Sequence, residues 1–152
     1  MALISERDQE KIREIFADRL QYDVRITCFA QRGSALIVPG HQHQHHTGRE
    51  TRQLLEELAG LTDRLHVEIK DFEEGNPEAQ ASGIQRAPAI ILHGQAKGQV
   101  RFFGLPSGYE FSTLIEDLLT VSSGETSLGQ ETRAALAAIA QPVHIQVFGT
   151  PT

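Results

Sequence analysis

The chain has 152 residues, of which 39% are hydrophobic and 22% charged, and its formal net charge is −6 at pH 7. This length suits one domain with a buried core, and the acidic charge argues against a nucleic-acid partner, which would require a basic face. Because no apolar run reaches the roughly 18 residues of a membrane span, we expect a cytoplasmic protein without a membrane partner.

The first half of the chain predicts a helix, a strand and a second helix. Ser5 begins an S-x-x-D pattern that is typical of a helix start. Residues 24–30 (VRITCFA) predict a central strand, because β-branched and aromatic residues occur on both of its faces. A long connection over 31–46 leads to a helix with an apolar stripe. Thr47 and Glu50 form a capping box, which predicts that this helix begins at Thr47.

The second half predicts a strand over 66–72 and a short helix that Asn76 caps. A hairpin of two strands follows, over 84–93 and 99–103, and an apolar helix runs to Val121. The predicted order up to this point is α, β, α, β, α, β, β, α.

Past Val121 the pattern starts again, with a linker, an Ala-rich helix and a strand over 143–149 (VHIQVFG). This strand repeats the V-x-I-x-x-F pattern of 24–30. We interpret the repeat as the first helix and strand of a second, truncated unit, and 122–152 as its extent.

Several stretches of the sequence together resemble a known family. Residues 86–89 (RAPA) resemble the cis-proline loop of the thioredoxin fold, and 101–111 (RFFGLPSGYEF), 54–58 (LLEEL) and 143–152 carry a closer likeness. With them the chain resembles the N-terminal unit of the two-unit glutaredoxin-like protein disulfide oxidoreductases. It equally resembles the N-terminal domain of the flavoprotein subunit of alkyl hydroperoxide reductase.

This resemblance implies an α/β protein with a thioredoxin-like fold, in which helices flank a mixed central sheet. It places one thioredoxin-like unit at 1–121 and the start of the second unit at 122–152. It also implies a cis peptide bond between Ala87 and Pro88, and these two residues would bind an extended substrate.

The sequence departs from the family at the redox site. Alignment on Glu50 and the leucines after it places the family's C-x-x-C at 45–48, where His45 and Gly48 replace both cysteines. The resemblance therefore implies a redox-silent unit that scaffolds or docks a dithiol unit. Whether the chain is itself an enzyme stays open. Its expected partner is a thiol–disulfide protein or a second thioredoxin-like unit, and a homodimer could form through the strand at 143–149.

Two other groups of residues leave alternatives open. His41, His43, His45 and His46 are ligand types for zinc, copper or nickel, and alternate residues of an extended loop project to one side. The histidine-rich loop 41–46 is therefore either a module for a divalent metal or a solvated loop without a built site. Otherwise no cofactor is expected. The single cysteine, Cys28, is either a small buried hydrophobe or a reactive thiol.

Overall fold

The structure, a computed structural model, describes residues 2–31, 42–73 and 75–149, and of residues 42–45 it describes the backbone alone. None of the described helices is both long and apolar enough to cross a membrane. The elements in chain order are α1 (Glu6–Arg19), β1 (Val24–Ala30), α2 (Gln42–Ala59), β2 (Leu65–Asp71), α3 (Pro77–Ala81), β3 (Ala89–His93), β4 (Val100–Phe103), α4 (Tyr109–Ser123) and α5 (Gln130–Ala137).

The four strands form one mixed sheet in the order β2-β1-β3-β4. β1 is parallel to β2 and antiparallel to β3, and β3 is antiparallel to β4. The strand over residues 24–30 therefore lies inside the sheet, as its composition predicted. The α/β class, the mixed sheet and the predicted element order through α4 are confirmed.

One face of the sheet carries the main hydrophobic core. Because successive side chains of a strand point to opposite faces, alternate residues of β1 pack beneath α1, α2 and α4. The buried members include Phe16, Leu20, Val24, Ile26, Cys28, Leu55, Leu58, Ile90, Leu92, Leu114 and Leu118.

The opposite face is covered in part only. Its buried cluster consists of Phe29, Ala79, Ile84, Ala89 and Ile91. Ala79 belongs to α3, which has five residues. A helix this short is about 7.5 Å long, so it covers one end of the sheet and leaves the other end open.

Two of the predicted helix starts are confirmed in detail. The Ser5 hydroxyl accepts a hydrogen bond from the Asp8 amide at 3.2 Å. The Asn76 side-chain oxygen accepts from the amides of Glu78 and Ala79, at 2.8 and 3.2 Å. Each cap satisfies amides that have no partner within the helix.

The predicted start of α2 is wrong, because the helix begins at Gln42 and not at Thr47. No Gly or Pro interrupts residues 42–47 (QHQHHT), so the helix continues through them. The Thr47 carbonyl accepts a hydrogen bond from the Thr51 hydroxyl at 2.8 Å, and Glu50 contacts His46 at 3.2 Å. Both interactions join residues four apart on a helix surface and are not a capping box.

The strand predicted over 143–149 is not formed. Helix α5 precedes it as expected, but residues 143–149 have no strand structure, and Val147 and Phe148 are each 89% exposed. A strand requires hydrogen bonds to a neighbouring strand, and no strand pairs with this segment in the described part of the chain. The division into units at 1–121 and 122–152 stays a prediction.

Candidate functional site

Two of the predicted site positions, Gly48 and Pro88, lie at the same end of the sheet. β1 ends at Ala30 and β3 begins at Ala89, directly after Pro88. The two strands are antiparallel, and Phe29 pairs with Ala89. The end of β1 and the start of β3 therefore meet at one edge.

Gly48 is buried against the end of β1. A Cβ atom at this position would lie 3.8 Å from the Ala30 Cβ and 3.9 Å from the Gln31 amide nitrogen, which are ordinary contact distances. Gly48, where the resemblance aligns the second cysteine of the C-x-x-C, thus lies beside the strand end and has no side chain. Thr51, one turn later, is fully buried and donates its hydroxyl to the Thr47 carbonyl.

The structure changes the argument for a histidine metal site. Residues 42–46 belong to a helix and not to an extended loop, and helix positions two apart do not face each other. The premise of the expected convergence, an extended loop, therefore does not apply to residues 42–46, while His41 lies outside the described residues and the convergence itself stays a prediction. His46 contacts the Glu50 carboxylate through Nδ1.

No group of three His, Cys, Asp or Glu side chains is placed to hold a metal ion in the part of the chain that the structure describes. Because the side chains at 41–45 are not among those described, metal binding by loop 41–46 stays an untested alternative.

The cis-proline side of the site has the expected geometry. The peptide bond between Ala87 and Pro88 is cis, and the Pro88 carbonyl accepts a hydrogen bond from the Gly104 amide at 2.9 Å. Gly104 has a φ of +99°, a conformation that favours glycine. A groove of about 260 Å³ opens here, lined by Arg86, Ala87, Pro88, Phe103 and Gly104.

Two lining residues of this groove were not singled out from the sequence. The Arg86 guanidinium carbon lies 4.8 Å from the centre of the Phe103 ring, which is a cation–π contact. Phe103 is 41% exposed. Both residues fall in stretches that carry the family resemblance, but their contact depends on the fold, and their spacing along the chain carries no signal of it. We call the five lining residues the cis-proline groove.

Cys28 is a buried hydrophobe and not a reactive thiol. Its side chain has no exposed surface and belongs to the main core. Burial raises the pKa of the Cys28 thiol to about 12, while the charge of Arg52 lowers the pKa and that of Glu56 raises it. The thiol is therefore neutral at physiological pH.

Part of the chain is similar in sequence to a hydroperoxide reductase. No family model matches the sequence. The F subunit of alkyl hydroperoxide reductase in Xanthomonas campestris pv. phaseoli is 34% identical over 101 residues, which are 64% of this chain and 16% of the relative.

Solved structures share the fold. Alkylhydroperoxide reductase AhpF of Enterococcus faecalis matches with a TM-score of 0.70 and 21% identity, covering 89% of this chain and 60% of that one. Its NTD_N/C domain matches with a TM-score of 0.69 and 19% identity, over 91% and 62% of the two chains. A protein disulfide oxidoreductase of Aeropyrum pernix K1 matches with a TM-score of 0.62 and 23% identity, covering 88% of this chain and 54% of that one.

This chain spans less than two thirds of each of these proteins. The TM-scores nevertheless agree with the thioredoxin-like fold that the resemblance implied. The chain therefore has a thioredoxin-like fold, which it shares with alkylhydroperoxide reductase AhpF and a protein disulfide oxidoreductase, and part of its sequence is similar to the F subunit of alkyl hydroperoxide reductase.

Proposed function

We propose that this chain is a redox-silent thioredoxin-like unit that docks a dithiol unit or a thiol–disulfide protein through its cis-proline groove. The observation that carries the proposal is the contrast between the two halves of the site. Gly48 packs against the end of β1 with no thiol, whereas the groove beside Pro88 is retained.

The redox-silent part of the proposal follows from the chemistry of thiol exchange. Two-cysteine enzymes need one thiol to attack a disulfide and a second to resolve the mixed disulfide. The only cysteine of this chain is Cys28, and its sulfur is buried in the core. The chain therefore has neither of the two thiols that the reaction requires.

The docking part rests on the composition of the cis-proline groove. Phe103 presents an exposed aromatic ring, and Arg86 lies over one of its faces. Aromatic and arginine side chains contribute a large share of the binding energy at protein interfaces. The relatives are named as a hydroperoxide reductase and a disulfide oxidoreductase, so a thiol–disulfide protein is the partner class that the likeness favours.

Insulin reduction with dithiothreitol tests the redox-silent part. We expect the wild-type chain and the Cys28→Ser variant to precipitate insulin at the rate of the reductant alone. A wild-type rate well above that of Cys28→Ser would contradict the proposal, because it would show that Cys28 takes part in exchange.

A binding experiment tests the docking part separately. The probe is reduced and alkylated insulin B chain, labelled with a fluorophore and followed by anisotropy. We expect Phe103→Ala to weaken binding, and Tyr109→Ala to leave it unchanged, because Tyr109 is 85% exposed and does not line the groove. Equal affinities for wild type and Phe103→Ala would exclude the groove as the docking surface.

A further inference from the structure

The open part of the second sheet face carries a group of basic residues. Arg25 pairs with His93 across β1 and β3, so their side chains point to the same face. Arg101 on β4 pairs with Ile91, which lies two residues before His93 and therefore on that face as well. We call Arg25, His93 and Arg101 the cationic strip.

The charges of the two arginines affect the pKa of His93, and the arginine side chains are exposed to solvent. Burial lowers the pKa of His93, and the positive charges of Arg25 and then Arg101 lower it further. Arg25 and Arg101 are exposed, and His93 is half-buried. The two arginines thus present permanent charges to solvent on either side of a neutral imidazole.

Acidic groups near this face are already paired elsewhere. Glu68 lies 3.6 Å from Lys70, and Asp23 lies 3.2 Å from His66. These residues lie on the β2 side of the face or beside it, and Asp23 also lies 3.9 Å from Arg64, so Lys70 and Arg64 largely offset the charges of the two carboxylates.

The arginines of the strip have no such partners. Neither Arg25 nor Arg101 has a carboxylate within 4.0 Å in the described part of the chain. Arg101 donates one hydrogen bond to the Gln99 side chain at 2.8 Å, which leaves further guanidinium donors available. In a chain of net charge −6, an unpaired basic surface of this kind is complementary to an acidic partner.

We propose that the cationic strip docks an acidic, extended segment of a partner polypeptide. Guanidinium groups bind carboxylates through paired hydrogen bonds. Arg25 and Arg101 lie two strand spacings apart, about 9.5 Å, and are offset by two residues along the strands, about 6.7 Å, so their backbones are roughly 12 Å apart. Carboxylates at alternate positions of an extended segment point the same way, and those four residues apart are roughly 13 Å from each other, a separation that two flexible arginine side chains can match.

This surface is distinct from the cis-proline groove. Arg25 and His93 lie at the end of β1 and β3 opposite to Ala30 and Pro88, and Arg101, although two residues from Phe103 on β4, does not line the groove. The proposal therefore does not depend on the proposed function, and each of them can fail without the other.

The test uses the full chain and a fluorescein-labelled peptide of alternating Glu and Thr, with anisotropy as the readout. We expect the peptide to bind the wild type and the Arg25→Ala, Arg101→Ala double variant to bind it at least about tenfold more weakly. The matched control is Arg13→Ala, Arg133→Ala, which removes the same charge from exposed sites on α1 and α5 and should bind normally. A peptide of alternating Gln and Thr should not bind.

Three outcomes would overturn the proposal. Equal weakening in both double variants would indicate general electrostatic attraction and no defined surface. Equimolar displacement of the peptide by inorganic phosphate would indicate a small-anion site. Loss of binding in Phe103→Ala but not in the strip variant would assign the peptide to the cis-proline groove.

Discussion

Cys28 illustrates how a central strand makes a thiol inert. Its position on the core face of β1 removes it from solvent, and burial raises the pKa of its thiol to about 12. At pH 8 roughly a ten-thousandth of such a thiol is ionised, against about a tenth of a cysteine with the ordinary pKa of 9.0. Because the thiolate is the nucleophile, we expect the native chain to resist iodoacetamide and the chain in concentrated guanidinium chloride to be alkylated rapidly. Mass spectrometry measures the modified fraction, and rapid native labelling would contradict the assignment.

The same pKa shift predicts a pH dependence of stability. The native pKa of Cys28 is raised above the ordinary value of 9.0, so the stabilisation by the neutral thiol is fully present below pH 9 and is lost as pH rises towards 12. In that window the unfolding free energy of the wild type, relative to Cys28→Ala, falls by up to about 1.4 kcal/mol per pH unit. Urea denaturation of both proteins below and above pH 9 measures the difference between their unfolding free energies. A difference that does not change with pH would contradict the prediction.

Glu57 fixes the N-terminal segment to α2. Its carboxylate accepts hydrogen bonds from the amides of Leu3 and Ile4, each at 2.9 Å, and from the Gln53 side chain at 2.7 Å. Burial raises the pKa of Glu57, but the hydrogen bonds from Leu3, Ile4 and Gln53, together with the charge of the N-terminal amine, outweigh burial and lower it.

This lowered pKa means that the contact is present above the ordinary value of 4.5 and is lost as pH falls through the native value. We expect Glu57→Gln to speed amide hydrogen exchange at Leu3 and Ile4 at pH 7, because a neutral amide accepts more weakly than a carboxylate. Glu56→Gln, on the same helix, is the control. Unchanged exchange in Glu57→Gln would show that other contacts hold the segment.

At the level of elements, the turn after β3 is packed directly against the end of α4. A Cβ atom on Gly94 would lie 2.5 Å from the Val121 carbonyl oxygen, and the Gln95 amide donates to that same oxygen at 2.8 Å. Gly98 lies in the same turn, and a Cβ atom added there would meet nothing within 4 Å in the described part of the chain. The two glycines are therefore a matched pair.

We expect Gly94→Ala to lower the unfolding free energy by about 1–3 kcal/mol, because the backbone contact leaves no room for a methyl group. Gly98→Ala should be close to neutral, since nothing obstructs its side chain. Urea denaturation compares the two variants with the wild type. Similar midpoints for all three proteins would mean that the turn moves away from α4 at little cost.

The elements also show which parts of the fold the sequence can predict. The caps at Ser5 and Asn76 are local interactions between neighbouring residues, and both were predicted correctly. The start of α2 was not, because the T-x-x-E pattern at Thr47 is equally compatible with the interior of a helix. The strand at 143–149 has a suitable pattern, but pairing depends on a partner strand, which no local pattern supplies. The contact of Arg86 with Phe103 is likewise long-range.

At the scale of the whole molecule, hydrogen bonds and an ion pair join α1 and the residues after it to α4, the helices that precede and follow the four strands. The Ser122 hydroxyl accepts a hydrogen bond from the Tyr22 amide at 2.8 Å and donates to the Tyr22 carbonyl at 2.6 Å. Arg19 and Glu116 form an ion pair at 3.1 Å nearby. α1 and α4 are thus fixed to each other, whereas α5 has no buried residue.

The exposed apolar residues after α5 predict self-association, and with it the homodimer expected from the sequence. Ile145 and Val147 are 80% and 89% exposed, and such a strand-forming segment can pair with another copy. We expect light scattering to show a mass that rises with concentration, and Ile145→Lys, Val147→Lys to stay monomeric. The control, Leu136→Lys, Ile139→Lys, adds the same charge on and just after α5. A monomer at all concentrations for the wild type would contradict this prediction.

The early start of α2 has a consequence for thiol chemistry at positions 45 and 48. Position 48 lies six residues into the helix, about 9 Å along its axis, and the favourable field of a helix N-terminus fades within the first turn. A cysteine introduced at position 48 would therefore lack the electrostatic help that activates a thiolate at a helix start, whereas position 45 still lies within the first turn. We therefore expect a variant with cysteines at 45 and 48 to place only one of its two thiols in the first turn, and a helix that began at position 45 would place both there.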